Sequence, residues 1–303
     1  VPTGDLGATR ILVAAREADD MSGESDIYAM APDGGGRVNL TRHPAPDDNA
    51  SWSRDGRHIV FASSRGRPRD ERDIYVMDAD GGRVRRLTDG QARYEAPKWS
   101  PVDDRILLSS DRDGTWNIFE IHADGTGLRS LNPSPGRDIQ PSWSPDGRRV
   151  LFGSDRTRPG GHGAEEIYVM QADGTAVENL TNNDENDHSA AFAPDGARVV
   201  FQSYRDGNNE IYLMDADGGG QVRLTRHPAE DTFPTFSPNG TRVLFQSGRD
   251  GGSEFFSMRV DGSDVRRVTT GAYYQDGPSA WSPFPADPAN SVTPTDTLLS
   301  SSR

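Results

Sequence analysis

The sequence contains no cysteine, which excludes a disulfide framework and thiol chemistry. Of its 33 basic residues one is a lysine, Lys98, and the others are arginines. No apolar run approaches the ~20 residues needed to span a bilayer, so membrane insertion is not expected. No stretch holds a helical hydrophobic period, so helices are not expected either. A basic surface is also lacking: the formal charge is −14. That balance argues against a sequence-independent grip on nucleic acid or anionic lipid, and leaves cationic, metal or protein partners. The chain opens at Val1 without methionine, as expected of a processed or trimmed N-terminus.

What is present is turn and short strand. There are 33 glycines and 21 prolines, with 33% hydrophobic residues to build a core. One landmark returns six times: an aromatic, a small residue, then usually Pro-Asp-Gly. Its aromatics are Trp52, Trp99, Trp143, Phe192, Phe236 and Trp281, at spacings of 47, 44, 49, 44 and 45 residues. A period in this range marks a propeller with four strands per blade. Strand a ends at the aromatic. The Pro-Asp-Gly turn leads into an apolar strand b such as Val150-Leu151-Phe152. Strand c opens on an acid or amide, as in Asp73-Ile74-Tyr75 and Glu210-Ile211-Tyr212. An Asp-Gly hairpin follows, and a short strand d closes on Leu-Thr or a near match.

The expected fold is therefore all-β: a six-bladed propeller with four antiparallel strands per blade. Its N-terminal segment, Arg10 to Ala15, supplies strand b of the sixth blade, and its C-terminal segment, Ser279 to Ser282, supplies strand a. The boundaries are an extension over 1–8, the propeller over 9–282 and a tail over 283–303. The tail holds a second strand-b-like segment, Asp296 to Arg303, which competes for the same slot.

The run Trp-Ser-Pro-Asp-Gly, apolar strand, Ser-x-Arg-Asp-Gly, Glu-Ile-Tyr-x-Met, Asp-Ala-Asp-Gly and Leu-Thr resembles the repeat of the TolB propeller family over residues 9 to 282. The resemblance implies protein partners at the channel mouth, Ca²⁺ in the channel, and a periplasmic or extracellular location. It also brings in propellers that gate serine peptidases and propellers that act as sugar lyases.

Loop length varies on the face where the a strands begin, which makes that face the expected working surface. Five residues before the landmarks stand Asp47, Tyr94, Asp138, Asp187, Asp231 and Asp276. Thirteen residues after five of them stand Arg65, Arg112, Arg156, Arg205 and Arg249. Two readings stay open. The acids and arginines pair across the a–b hairpins as a repeated structural contact. Alternatively, the five aspartates ring the channel and hold Ca²⁺ or a ligand cation, since hard cations need several oxygen ligands. Tyr94 interrupts the acidic ring and, with Glu95, marks a candidate point of partner entry. Tyr273 and Tyr274, with Trp116, Tyr204 and Phe233, are candidate stacking residues. His162 and His188 lack the spacing of a zinc motif.

With no nucleophile elbow, metal motif or phosphate loop, the expectation is a non-catalytic, monomeric binding module for a protein, peptide or glycan. The alternatives are an enzyme of the polysaccharide-lyase kind and a gating propeller belonging to a larger serine hydrolase.

Overall fold

The computed structural model describes residues 9–16, 24–68, 70–157, 164–270 and 277–283, together with the backbone of 274–275. It is all-β, with six sheets arranged as blades. The first blade is β4 (Asp47–Trp52), β5 (His58–Ser63), β6 (Asp73–Asp78) and β7 (Arg85–Arg86). The second is β8 (Tyr94–Trp99), β9 (Arg105–Ser110), β10 (Asn117–His122) and β11 (Arg129–Ser130). The third is β12 (Asp138–Trp143), β13 (Arg149–Ser154), β14 (Glu166–Gln171) and β15 (Glu178–Asn179). The fourth is β16 (Asp187–Phe192), β17 (Arg198–Ser203), β18 (Glu210–Asp215) and β19 (Val222–Arg223). The fifth is β20 (Asp231–Phe236), β21 (Arg242–Ser247), β22 (Glu254–Arg259) and β23 (Arg266–Arg267).

The sixth blade closes the ring. Its strands are β1 (Ile11–Arg16), β2 (Asp26–Met30) and β3 (Val38–Asn39), with strand a supplied by β24 (Tyr274–Gln275) and β25 (Ala280–Trp281). Ile11 stands opposite Trp281 and Ala15 opposite Gln275. The Ser282 amide donates to the Arg10 carbonyl at 2.8 Å, and the Arg10 amide donates to Ser282 Oγ at 3.0 Å. The N-terminal segment thus fills the strand-b slot. The competing segment, Asp296 to Arg303, lies outside the described residues.

The b and c strands are apolar along nearly their whole length because each blade is packed on both faces. The apolar clusters lie between blades, not within them. One joins Leu12, Ala14 and Ile27 of the sixth blade to Trp52, Ile59 and Phe61 of the first. Another joins Ile11, Val13 and Tyr28 to Leu244 and Phe255 of the fifth. Packing is therefore continuous through the seam where the two chain ends meet.

Two motifs of the repeat are latches. In five blades a threonine at the end of strand d accepts the second amide of strand c and donates to the acid that opens that strand. Thr88, for example, accepts from Ile74 N at 3.0 Å and donates to Asp73. The glycine of the Asp-Gly hairpin rests on the strand-d leucine of the preceding blade. At Gly174, with φ +91°, a Cβ would overlap the Leu131 carbonyl oxygen, so only glycine fits.

Candidate functional site

The a–b hairpins carry the Asp and Arg series, and the geometry pairs them. Arg65 Nη2 donates to Asp47 at 2.6 Å, Arg156 to Asp138 at 2.6 Å, Arg205 to Asp187 at 2.8 Å and Arg249 to Asp231 at 2.8 Å. All four aspartates are fully buried. Each arginine also donates Nε to the last serine of strand b. Each guanidinium lies over two aromatic rings, as Arg156 does over Phe152 at 4.9 Å and Tyr168 at 5.1 Å. Burial raises the Asp47 and Asp138 carboxyls above the ordinary range, opposed by their arginines and by hydroxyl donors.

The second blade departs from this pattern. Leu108 stands where four blades have phenylalanine, and Tyr94 stands where they have aspartate. The Tyr94 phenol accepts from Arg112 Nη1 at 2.7 Å and donates to Asp89 Oδ1 at 2.8 Å. Arg112 bonds Asp89 directly at 2.8 Å. Asp89 thus restores the missing charge from the preceding loop. Tyr94 itself is fully buried, its phenol pushed up to about 12 chiefly by that burial.

These placements decide how a calcium ion would fit. The four described aspartates face their own arginines, and none lines a channel cavity. Among the described residues no group of three His, Asp or Glu side chains stands close enough to hold a metal. Among the described residues the donor set does not fit a Ca²⁺ site. Asp276 and Tyr273 lie outside the described residues, as does the side chain of Tyr274.

The channel mouth is built by a different set. Each of five a strands shifts register against strand b by a bulge, between Asp48 and Ser51 in the first blade and at equivalent positions in the others. The bulge residues Asn49, Ala96, Gln140, Ser189 and Phe233 all have left-handed φ between 50° and 56°. This is uncommon for residues other than glycine, and for a bulky phenylalanine it is an outlier. Bonds between blades hold the bulges in place. Gln140 N donates to Ser109 Oγ at 3.1 Å, Ser189 N to Gln140 Oε1 at 3.1 Å and Phe233 N to Gln202 Oε1 at 2.9 Å.

Four of these bulge residues, Asn49, Ala96, Gln140 and Phe233, border a cavity of about 290 Å³ on the face where the a strands begin, with Arg72, Glu95 and Arg137 also in its wall. Arg72 pairs with Asp48 at 2.7 Å, and Arg137 with Glu165 at 3.0 Å. The Glu95 carboxylate makes no hydrogen bond or ion pair among the described residues. Burial raises its pKa above the usual carboxylate range, partly offset by Arg72.

The family model described as the TolB beta propeller domain matches residues 9–108, 91–190 and 186–284. The chain belongs to the TolB β-propeller family. No curated protein sequence matches it. Among solved structures, it is similar to TolB from Acinetobacter baumannii at 21% identity and a TM-score of 0.78, over 90% of this chain and 66% of that one. It is similar to a TolB-like protein from Agrobacterium tumefaciens, described there as putative TolB, at 19% identity and a TM-score of 0.70, over 91% and 99%. A chain of a nidogen/laminin complex matches at 11% identity and a TM-score of 0.68, over 92% and 99%. At these identities the likeness shows the fold. Among the described residues no helix is long and apolar enough to cross a membrane.

Within this TolB-type propeller, the sequence candidates Glu95 and Phe233 both lie in the wall of this cavity. Sequence reasoning missed Arg72, Arg137 and the other bulge residues. Arg137 had a signal, since it directly precedes Asp138 at the start of strand a. The bulges had none, because five different residue types occupy the same left-handed position. Of the other candidates, Trp116 lies under the Arg93 guanidinium at 5.1 Å, and Tyr204 is exposed. His188 is held below its ordinary pKa by burial and sits 3.1 Å from Gln202 Nε2. His162 lies outside the described residues.

Proposed function

We propose that this propeller is a non-catalytic binding module that takes a protein or peptide partner at the mouth where the a strands begin. The observation that carries this reading is Glu95. A half-buried carboxylate is held with no bonded counter-charge among the described residues, in a wall that also contains Phe233. Desolvating a carboxylate is unfavourable unless it is paired, so the site is complementary to a cationic group carried on an apolar body. A lysine or arginine side chain of a partner has that form. The partner's charge would complete a local network already containing Arg72–Asp48 and Arg137–Glu165, and the chain's charge of −14 would steer it inward.

The rim supports the same reading. The bulges are locked by bonds between blades, so the mouth is pre-organised and little ordering cost falls on the propeller when a partner docks. Membership of the TolB family favours a periplasmic or extracellular location, which cell fractionation tests; recovery from the cytoplasm would overturn it. A monomer is the expected state, and light scattering showing a stable dimer would overturn that.

The test is selection of peptides from a random display library on the intact chain, followed by titration against Glu95→Gln. Enrichment of basic-plus-apolar peptides whose affinity falls about tenfold or more in the variant is expected, the size of a lost charge-assisted bond. Peptides that bind wild type and variant equally, or a glycan array giving the sole mouth-directed hits, would overturn the proposal.

A further inference from the structure

Below the mouth the channel opens into an interior of about 380 Å³. The chain has 47 acidic residues, yet among the described residues no acid lines this interior. The one charged residue among the described lining is Lys98, the chain's single lysine. Lys98 also lines a cavity of about 250 Å³ at the opposite end, again as the one charge. Among the described residues its ammonium has no ion-pair or hydrogen-bond partner.

The repeat makes room in front of it. Lys98 directly precedes the landmark Trp99, and the equivalent positions of the other blades are Ser51, Ser142, Ala191, Thr235 and Ala280. All six line the same interior. One long cationic side chain therefore shares a level of the channel with five small ones, three of which carry hydroxyls. Asn49, Gln140 and Ser189 add neutral polar groups one step toward the mouth, while Pro194, Phe236 and Trp281 supply apolar wall.

From this arrangement we infer that the channel interior is a receptor for a carboxylate, held by Lys98 and the surrounding hydroxyls. A single ammonium balances one negative charge. A phosphate dianion would leave a second charge uncompensated among prolines and aromatics, which is unfavourable in a desolvated site. The carboxylate belongs either to a small organic acid or to the C-terminus of a peptide threaded into the channel. The site adjoins the Glu95 mouth, sharing Asn49, Ala96, Gln140, Phe233 and Pro278 with its wall, but it is centred on Lys98, and binding here does not require a partner there. Crowding by the channel walls lowers the Lys98 ammonium to about 8, so most of it remains charged at neutral pH and a bound carboxylate would raise that value.

A single lysine makes the test direct. Reductive methylation of the intact chain with ¹³C-formaldehyde labels only Lys98 and the terminal amine, and Lys98→Met identifies the lysine signal. The probes are butyrate, a short peptide with a free C-terminus, the same peptide amidated, and inorganic phosphate. A saturable shift of the Lys98 signal with butyrate, and its titration midpoint moving to higher pH, is expected for a small acid. The same response to the free peptide but not to the amide is expected for a threaded C-terminus. In calorimetry Lys98→Met would weaken binding about tenfold or more, with its melting temperature showing that the fold persists. No saturable shift with butyrate or free peptide, an equal response to the amidated peptide, or tighter binding of phosphate would overturn the inference. None of these outcomes depends on Glu95, so the mouth and the interior stand or fall separately.

Discussion

Replacing Arg156 with methionine isolates the contact that the propeller repeats most faithfully. Methionine keeps apolar contact with Phe152 and Tyr168 but removes the guanidinium from Asp138. The bond lost is 2.6 Å long, the aspartate is fully buried and the arginine side chain is 16% exposed. Solvent therefore cannot replace the missing charge, and Ser154 Oγ is the main donor left to Asp138. Breaking a buried pair from one side costs about 3–5 kcal/mol, most of it the uncompensated carboxylate. For a chain of this length that corresponds to a melting temperature lowered by roughly 5–8 °C. Urea denaturation followed by tryptophan fluorescence reads the same loss as a shifted midpoint at unchanged slope.

The sign of the pH dependence separates this account from simple loss of packing. Without Arg156, Asp138 binds its proton more tightly in the folded state than in the unfolded one. Stability then rises as pH falls from neutral toward about 4, because the native state gains the proton first. The deficit of Arg156→Met against wild type should shrink over that interval. In a double-mutant cycle, Asp138→Asn should remove much of the cost, giving a coupling of about 2 kcal/mol. As an exposed comparison, Arg83→Met breaks the Arg83–Asp78 pair and should leave the midpoint unmoved. A loss under about 1 kcal/mol at neutral pH, or strict additivity with Asp138→Asn, would refute the reasoning.

Gly174→Ala should cost at least about 2 kcal/mol, since it adds left-handed strain to overlap with Leu131. Gly114→Ala, with φ +93° and open space around it, should cost less by thermal denaturation, and equal losses would refute the latch. Tyr94→Phe should flatten the fall in stability above pH 10. In wild type a phenol raised to about 12 contributes stability that is complete below 10 and lost as pH climbs toward 12. Glu95→Gln should stabilise the free propeller at neutral pH, because the raised carboxyl costs stability once ionised, and this gain should vanish as pH falls through the ordinary range near 4.5. Calcium at millimolar concentration should leave the melting temperature where EGTA leaves it, and an upward shift would refute the reading of the four aspartates.

The fold was legible because a propeller repeats its instructions. Turn chemistry at Pro-Asp-Gly and Asp-Gly, the acid opening strand c and the threonine closing strand d recur at one spacing, and local pattern and global packing point the same way. The Asp–Arg series was legible as a series, and pairing across the hairpin was one of the two readings its spacing left open. Spacing places Asp138 opposite the end of strand b and says nothing of Phe152 and Tyr168, whose rings flank the guanidinium. Nor does it show that the aspartate is buried against its arginine and absent from the cavity walls. The bulge in strand a decides that geometry, and it is written in no single residue type. The mouth was half legible: Glu95 stood out beside Tyr94, whereas Arg72 enters from a loop whose register the period does not fix.

The contrast between Tyr94 and Lys98 shows how departures from a repeat should be weighed. Both break a six-fold pattern in the same strand, β8, four residues apart. Tyr94 is compensated: Asp89 supplies the missing charge, Arg112 keeps its partner and nothing is left unbonded. A departure absorbed in this way keeps the blade intact and leaves no group to bind a ligand. Lys98 is not compensated. The five positions equivalent to it stay small, no acid among the described residues moves in to neutralise it, and the cost of holding an ammonium in a narrow channel is left standing. In a ring whose regularities serve structure, an uncompensated departure marks function more strongly than a conspicuous motif does. On the proposed function, Glu95 and Lys98, and not the aspartate series, are the groups a ligand meets.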